Sequence, residues 1–269
     1  MNENEMLVLQ GLRKTFNPGT VMRKMALAGV DLTLNKGDFI TVIGGNGAGK
    51  STMLNAIAGT FQIDNGTILL GGRDVTHLPE HKRASFLGRV FQDPMTGTAA
   101  SMNIEENLAL AARRGQSRGL RWGITAKERA LYREKLASLD LGLETRMSSK
   151  VGLLSGGQRQ ALTLLMATLQ KPELLLLDEH TAALDPKTAE KVLRLTRHLI
   201  EENNLTALMV THNMKDALAL GNRTIMMHEG KVILDLNAEE KKHMTVEDLL
   251  AQFEKVSGRE LVNDRMLLT

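Results

Sequence analysis

Phe39-Ile40-Thr41-Val42-Ile43-Gly44-Gly45-Asn46-Gly47-Ala48-Gly49-Lys50-Ser51-Thr52 is the stretch from which the chain's organisation can be read. Its first five residues form an unbroken apolar run, as expected of a strand covered on both faces of a parallel sheet. The run feeds Gly44 to Ser51, which matches G-x-x-x-x-G-K-[ST] in full, and Ser51-Thr52-Met53-Leu54 opens a helix read over residues 49–59. Strand, glycine-rich loop and helix in that order make an anion cradle. Glycines let the backbone wrap a phosphate without a Cβ clash, and the amides of Gly44, Gly45, Asn46, Gly47, Ala48 and Gly49 converge with the helix N-terminus on one point. Lys50 should reach the β- and γ-phosphates, Ser51 should ligate Mg²⁺, and Thr52 completes the binding turn.

The complementary half of such a site is an acid at the end of another buried strand. Leu174-Leu175-Leu176-Leu177-Asp178-Glu179 supplies it, with Asp178 placed to hold Mg²⁺ and Glu179 to orient the attacking water. Around these anchors strands alternate with helices, the pattern of a sheet flanked by helices. Leu7 to Leu9, Leu27 to Leu34 and Thr67 to Leu70 read as strands, as do Gly88 to Phe91 and Thr206 to Thr211. A strand pair turns around Glu229-Gly230. Between Asp93 and Leu154 the strand signal fades, and 104–114 and 126–139 carry helical spacing, so a helical subdomain is expected there. An amphipathic tail follows from about Thr245.

Leu154-Ser155-Gly156-Gly157-Gln158 begins the next helix with an S-x-x-Q capping box. A plain cap does not require two glycines, each costing up to about 1 kcal/mol of helix propensity, so something should approach this backbone closely. A terminal phosphate would meet free amides and the positive end of the helix dipole there. Since Lys50 already cradles one nucleotide, a second phosphate-binding end must serve another site or another subunit.

With LSGGQ the chain resembles the ATP-binding-cassette (ABC) family of transporter ATPases, from about Met6 to Asp235. The resemblance implies an α/β fold: a P-loop NTPase (RecA-like) core with an N-terminal antiparallel β subdomain over 1–92 and 155–235, a helical signature subdomain over 93–154, and a short tail over 236–269. It implies that Gln92 contacts Mg²⁺ and the attacking water, and that His212 contacts the γ-phosphate. Phe16 would stack on adenine, and Ala183-Leu184-Asp185 would form the D-loop crossing a dimer interface. It further implies a head-to-tail dimer with a second copy, in which Ser155, Gly156, Gly157, Gln158 and Asp185 of one subunit close over the ATP of the other. Two departures stand out. His180 occupies the place of the family's usual proline, where it reads as structural or solvated. Phe16 replaces the commoner tyrosine.

The sequence also bounds the partners. Its 269 residues suit one large α/β domain or a core with a subdomain. No apolar run reaches the roughly 18 residues of a membrane span, so a membrane role must come from separate transmembrane subunits. The absence of cysteine rules out disulfides and thiolate-ligated metals. The N-terminus lacks a secretory pattern, and a peripheral place on the cytoplasmic face of the cell membrane is expected. The resemblance implies an energy-coupling Mg-ATP hydrolase for a transporter. It is closer to the bacterial importer arrangement, with permease subunits and an extracytoplasmic substrate-binding protein. The stretch from Asp178 to Pro186 and the short tail resemble a group serving amino-acid-type solutes.

A non-transport ABC ATPase acting on nucleic acid or ribosomes is the alternative. The segment between Lys50 and Ser155 is too short for a long coiled-coil insertion, only one cassette is present, and a net charge of +3 gives no electrostatic case for nucleic acid. A regulatory module without turnover is opposed by intact Lys50, Asp178, Glu179 and His212.

Three further patterns occur in the sequence. Asn35-Lys36-Gly37-Asp38 spells a guanine-reading motif but precedes the phosphate loop, and reads as a turn between strands. His77-Leu78-Pro79-Glu80-His81 spells a zinc-peptidase pattern that Pro79 opposes, and reads as a polar surface segment. Arg113 to Lys135 carries eight basic residues against two acidic ones, with Trp122 among them. Two readings of it stay open: a solvated helical face, or a patch facing anionic lipid or a membrane subunit.

Overall fold

A computed structural model describes residues 4–116 and 123–257. The elements run β1 (Glu5–Phe16), β2 (Lys24–Asn35), β3 (Phe39–Ile43), α1 (Lys50–Ala58), β4 (Asn65–Leu70), β5 (Arg73–Asp74), α2 (Glu80–Arg83) and β6 (Leu87–Val90). They continue with α3 (Ile104–Ala112), α4 (Ala126–Ala137), α5 (Gly156–Thr168), β7 (Leu174–Asp178), α6 (Pro186–Asn203) and β8 (Thr206–Val210). The last are α7 (Met214–Ala219), β9 (Arg223–His228), β10 (Lys231–Leu236), α8 (Ala238–Lys242) and α9 (Val246–Ser257). The chain divides into two compact units, residues 1–83 with 205–269, and residues 84–204.

In the first unit β2, β1, β4 and β5 form an antiparallel sheet in that order. β1 and β2 are longer than the short runs read from sequence. A register shift between Leu9 and Leu12 interrupts the two-residue alternation. Gly11 sits there at φ 57, its amide donating to Asp31 Oδ1 at 2.7 Å. Asn35 to Asp38 is the expected turn between strands: the Asp38 amide donates to the Asn35 carbonyl at 3.1 Å, and the Asn35 amide to Asp38 Oδ2 at 2.8 Å. The unit also holds β3 between parallel neighbours, with Thr41 facing Met209 of β8 and Thr224 of β9, while β10 pairs antiparallel with β9. Every residue of β3 and β8 is buried, which explains their continuous apolar runs. The amphipathic tail is helical, and Leu249 and Phe253 of α9 pack with Ile43, Met226 and Leu236.

The second unit pairs β6 and β7 in parallel, Leu87 with Leu174 through Val90 with Leu177. Its core gathers Ile104 and Leu108 of α3, Tyr132 and Leu136 of α4, and Ala161, Leu162 and Leu165 of α5. Each of these helices starts at a capping box, led by Asn103, Thr125 or Ser155. Of the basic run, Arg113 pairs with Glu128 at 3.1 Å, Arg129 pairs with Glu105 at 2.7 Å, and Arg114 donates to the Ala167 carbonyl at 3.2 Å. These three are committed to holding helices together. Trp122 lies outside the described residues.

Candidate nucleotide-binding and hydrolysis site

β3 delivers the chain into the phosphate loop, where Gly44, Gly47 and Gly49 take φ of 146°, 78° and 102°, a region closed to most side chains. Space forbids a Cβ as well. One on Gly44 would overlap the Met227 carbonyl, and one on Gly49 would sit 2.5 Å from the Ala26 carbonyl. The loop is clamped from outside by the turn between β9 and β10, since the Gly230 amide donates to the Ala48 carbonyl at 2.9 Å. α1 begins at Gly49 with no side-chain cap and no acid in its first turn. Within α1 itself, an anion there would meet no capping side chain and no first-turn acid. The buried Lys50 ammonium donates to the carbonyls of Gly44 at 2.7 Å and Gly45 at 3.2 Å, so it is folded onto the loop that a phosphate would occupy. These features fit a nucleotide's phosphates. Ser51 is exposed at the helix start, with Thr52 half-buried beside it.

His212 belongs to the same unit. It follows β8, whose Val210 pairs with Val42, and the Thr211 amide donates to the Val42 carbonyl at 3.1 Å. The phosphate loop and His212 therefore leave the carboxyl ends of adjacent parallel strands, where open α/β sheets bind their ligands. The turn carrying His212 is fixed on both sides. The Asn213 amide donates to Thr211 Oγ1 at 3.1 Å, and Asn213 Oδ1 accepts from the amides of Lys215 and Asp216. Phe16, at the end of β1, meets Phe61 edge to face at 5.3 Å, and Lys14 Nζ lies 5.7 and 5.4 Å from the two ring centroids. Phe61 was not legible from sequence, because a lone aromatic in a loop has no periodicity to mark it.

In the second unit the parallel pair β6 and β7 brings Gln92, two residues past Val90, and Asp178, one past Leu177, to neighbouring strand ends. Gln92 is exposed and Asp178 half-buried. Glu179 is left-handed, φ 45, a conformation costing a non-glycine residue about 1–2 kcal/mol. His180 is buried, which favours the structural over the solvated of its two readings. Its Nε2 is 2.9 Å from Thr196 Oγ1, and burial pulls its pKa down to about 4, so the ring is neutral.

The signature turn has the expected capping box: Ser155 Oγ accepts from the Gln158 amide at 3.3 Å and Gln158 Oε1 accepts from the Ser155 amide at 3.2 Å. The close approach read from its glycines is made within the chain. A Cβ on Gly157 would overlap Thr188 Cγ2 of α6, and one on Gly156 would sit 3.3 Å from Leu184 Cδ2. Asp185 caps α6, its Oδ1 accepting from the Thr188 amide at 3.1 Å. Hydrogen bonds from the Thr188 hydroxyl, then from its amide, hold the Asp185 carboxyl below the usual range.

Ser51 of the first unit offers a hydroxyl oxygen, and Gln92 and Asp178 of the second offer an amide and a carboxylate oxygen, each a hard donor of the kind Mg²⁺ takes. Among the described residues no group of three His, Cys, Asp or Glu side chains could form a metal cage of its own. His77 Nδ1 lies 3.3 Å from Gln62 Oε1, and of the zinc-like motif only Glu80 and His81 are helical, at the start of the single-turn helix α2.

The family described as ABC transporter matches residues 27–182. The chain is 44% identical over 254 residues to a tyrosine transport ATP-binding protein of Clostridioides difficile (strain R20291), covering 93% of this chain and 99% of that protein. It is 34% identical over 248 residues to the spermidine/putrescine import ATP-binding protein PotA of Shigella flexneri serotype 5b (strain 8401), covering 91% of this chain and 61% of PotA. Among solved structures it is similar to the dimeric post-hydrolysis state of the ATP-binding cassette MJ0796 bound to ADP and Pi. That match has a TM-score of 0.73 and 31% identity, over 87% of this chain and 99% of that one. The ADP conformation of the cassette MJ1267 matches with TM-score 0.75 and 26% identity, over 95% and 99%. No helix among the described residues is long and apolar enough to cross a membrane.

Proposed function

Because this chain belongs to the ABC transporter family, as an ATPase cassette with the P-loop NTPase fold, we propose that it hydrolyses MgATP to power an importer of a small, amino-acid-type solute. It would do so as a head-to-tail dimer on the cytoplasmic face of the membrane, working with separate permease subunits and an extracytoplasmic binding protein. The observation that carries the ATPase reading is the set of residues each unit gathers at the carboxyl ends of its parallel strands: the phosphate loop and His212 in one, Gln92, Asp178 and Glu179 in the other. The solute class is carried over from the tyrosine transport relative.

In this reading the amides of Gly44 to Gly49 and the Lys50 ammonium bind the phosphates, and Phe16 stacks on the base. His212 donates to the γ-phosphate, and Glu179 orients and polarises water for attack. Magnesium, held by Ser51, Gln92 and Asp178, would supply neutralisation of phosphate charge. Ser155, Gly157, Gln158 and Asp185 of the second copy cover the nucleotide. We further assign residues 1–92 and 155–235 to the catalytic core, 93–154 to the helical part that meets the permease, and 236–269 to the tail.

The test is Glu179→Gln. It should cut hydrolysis by roughly 10²-fold or more while ATP still binds, leaving an ATP-trapped dimer on a sizing column. Near-normal turnover would remove Glu179 from the mechanism. Purifying the tagged chain from native membranes should bring permease subunits with it, and recovery with nucleic acid or ribosomes instead would overturn the transport assignment.

A further inference from the structure

His180 follows Glu179 directly and has a partner that a proline there could not have. The ring is 2% exposed and its Nε2 lies 2.9 Å from Thr196 Oγ1 on α6. Thr196 Oγ1 lies 2.8 Å from the Val192 carbonyl. A carbonyl only accepts and a hydroxyl has one proton, so Thr196 donates to Val192 and must accept from His180. That fixes the imidazole as the Nε2–H tautomer.

Glu179 has φ 45, a conformation that a non-glycine residue keeps only where its surroundings over-determine it. On its N-terminal side β7 is held by the pairing of Leu177 with Val90. On its C-terminal side the Ala182 amide donates to the Glu179 carbonyl at 3.0 Å. Directly after Glu179 comes His180, followed by Thr181, and the only side-chain hydrogen bond of His180 among the described contacts reaches α6. Where the resembled family restricts this backbone with a proline ring, the present chain ties it to a helix.

We propose that the His180–Thr196 hydrogen bond is a positioning device that keeps Glu179 in its left-handed conformation, making His180 and Thr196 positioning residues for hydrolysis. This rests on the reading of Glu179 as the water-orienting group. It also gives α6 two attachments, Thr196 to the residue after Glu179 and the Asp185 cap to the D-loop.

The experiment compares MgATP turnover of the full chain with Thr196→Val, which keeps the volume and removes the acceptor, and Thr196→Ser, which keeps the oxygen. Thr196→Val should lose about tenfold in kcat with KM for ATP within twofold, and Thr196→Ser should restore most of the loss. In a His180→Pro background the same Thr196→Val change should cost less than twofold, because the bond it breaks is already gone. A kcat for Thr196→Val within twofold of the parent, or an equal loss in both backgrounds, overturns the proposal.

Nitrogen NMR of the parent chain needs no variant. It should show the His180 proton on Nε2, and a proton on Nδ1 instead would equally overturn it. Glu179→Gln run alongside separates the two readings. If that variant turns over normally, the role of Glu179 has failed; if it is inactive while Thr196→Val is unaffected, only the anchor has.

Discussion

Thr188 Cγ2 fills the space that a Cβ on Gly157 would need, so the second glycine of the signature turn is required by a contact between α5 and α6 of one chain. Gly157→Ala must move one helix start against the other, and over-packing of this kind costs about 1–3 kcal/mol. Thr188→Ser removes the offending methyl and keeps the hydroxyl that bonds Asp185. The double variant should therefore recover most of the stability that Gly157→Ala loses. Urea midpoints of the four proteins measure this, and strictly additive losses would contradict the contact.

Arg83 closes the end of the phosphate-loop helix. It is 1% exposed, and its guanidinium donates to the carbonyls of Ala56 and Ile57 at 2.8 Å, Leu78 at 2.7 Å and Thr76 at 2.9 Å. Two of those carbonyls belong to the last turn of α1, where Ala56 also accepts from the Gly59 amide at 3.2 Å. Arg83→Lys presents one compact ammonium to four dispersed acceptors and should destabilise the chain by about 3 kcal/mol or more. Denaturant unfolding of the nucleotide-free protein reads this, and a loss under 1 kcal/mol would show that water replaces the guanidinium.

The contrast between Arg83 and Lys50 shows what was legible in the sequence. Lys50 sits in a motif of fixed local spacing, so eight consecutive residues announced the loop and the strand before it. The apolar runs at Phe39 to Ile43 and Leu174 to Leu177 likewise marked strands buried on both faces. Arg83 and Thr196 bond to residues on other elements, Thr188 packs its methyl against Gly157 of another helix, and no local period encodes such a partner. The full length of β1 was hidden for a different reason, because the irregularity at Gly11 breaks the alternation by which strands are recognised. His180 was legible only as structural or solvated, and its partner sixteen positions on was not legible at all.

His180 gives the chain a defined acid sensitivity. Burial lowers its pKa from 6.5 to about 4 in the folded state. Between those values the unfolded chain binds a proton that the folded chain does not, so stability falls as pH is lowered from 6.5 toward 4 and is unaffected by this group above 6.5. The accumulated loss is roughly 3 kcal/mol by the linkage relation. His180→Gln removes the titration, so its stability should decline less than the parent's between pH 7 and pH 4.5. Urea unfolding at the two pH values, without nucleotide or magnesium, measures the difference. Parallel declines would mean that the ring charges in the folded protein as readily as in the unfolded one.

The shared-site arrangement makes a prediction that one chain's geometry alone cannot mimic. If ATP lies between Lys50 of one copy and Ser155 of the other, Lys50→Ala and Ser155→Arg should each inactivate both sites of their own homodimer. The first removes the ammonium now resting on the Gly44 and Gly45 carbonyls, and the second places bulk at the start of α5. Ser155→Arg also deletes the cap on the Gln158 amide, worth about 1 kcal/mol, so its melting temperature must be checked first. In a mixed dimer both lesions fall on one site, and the other site is intact on both sides. Random mixing makes about half the dimers mixed, each with one of two sites working, so activity should recover to roughly a quarter of the parent's if the sites act independently. Coupling between sites would lower that figure, so ATP-dependent dimer closure of a purified, differentially tagged mixed dimer is measured beside turnover. If that dimer neither closes on ATP nor hydrolyses it better than the two mutant homodimers, Ser155 does not complete the site that Lys50 begins.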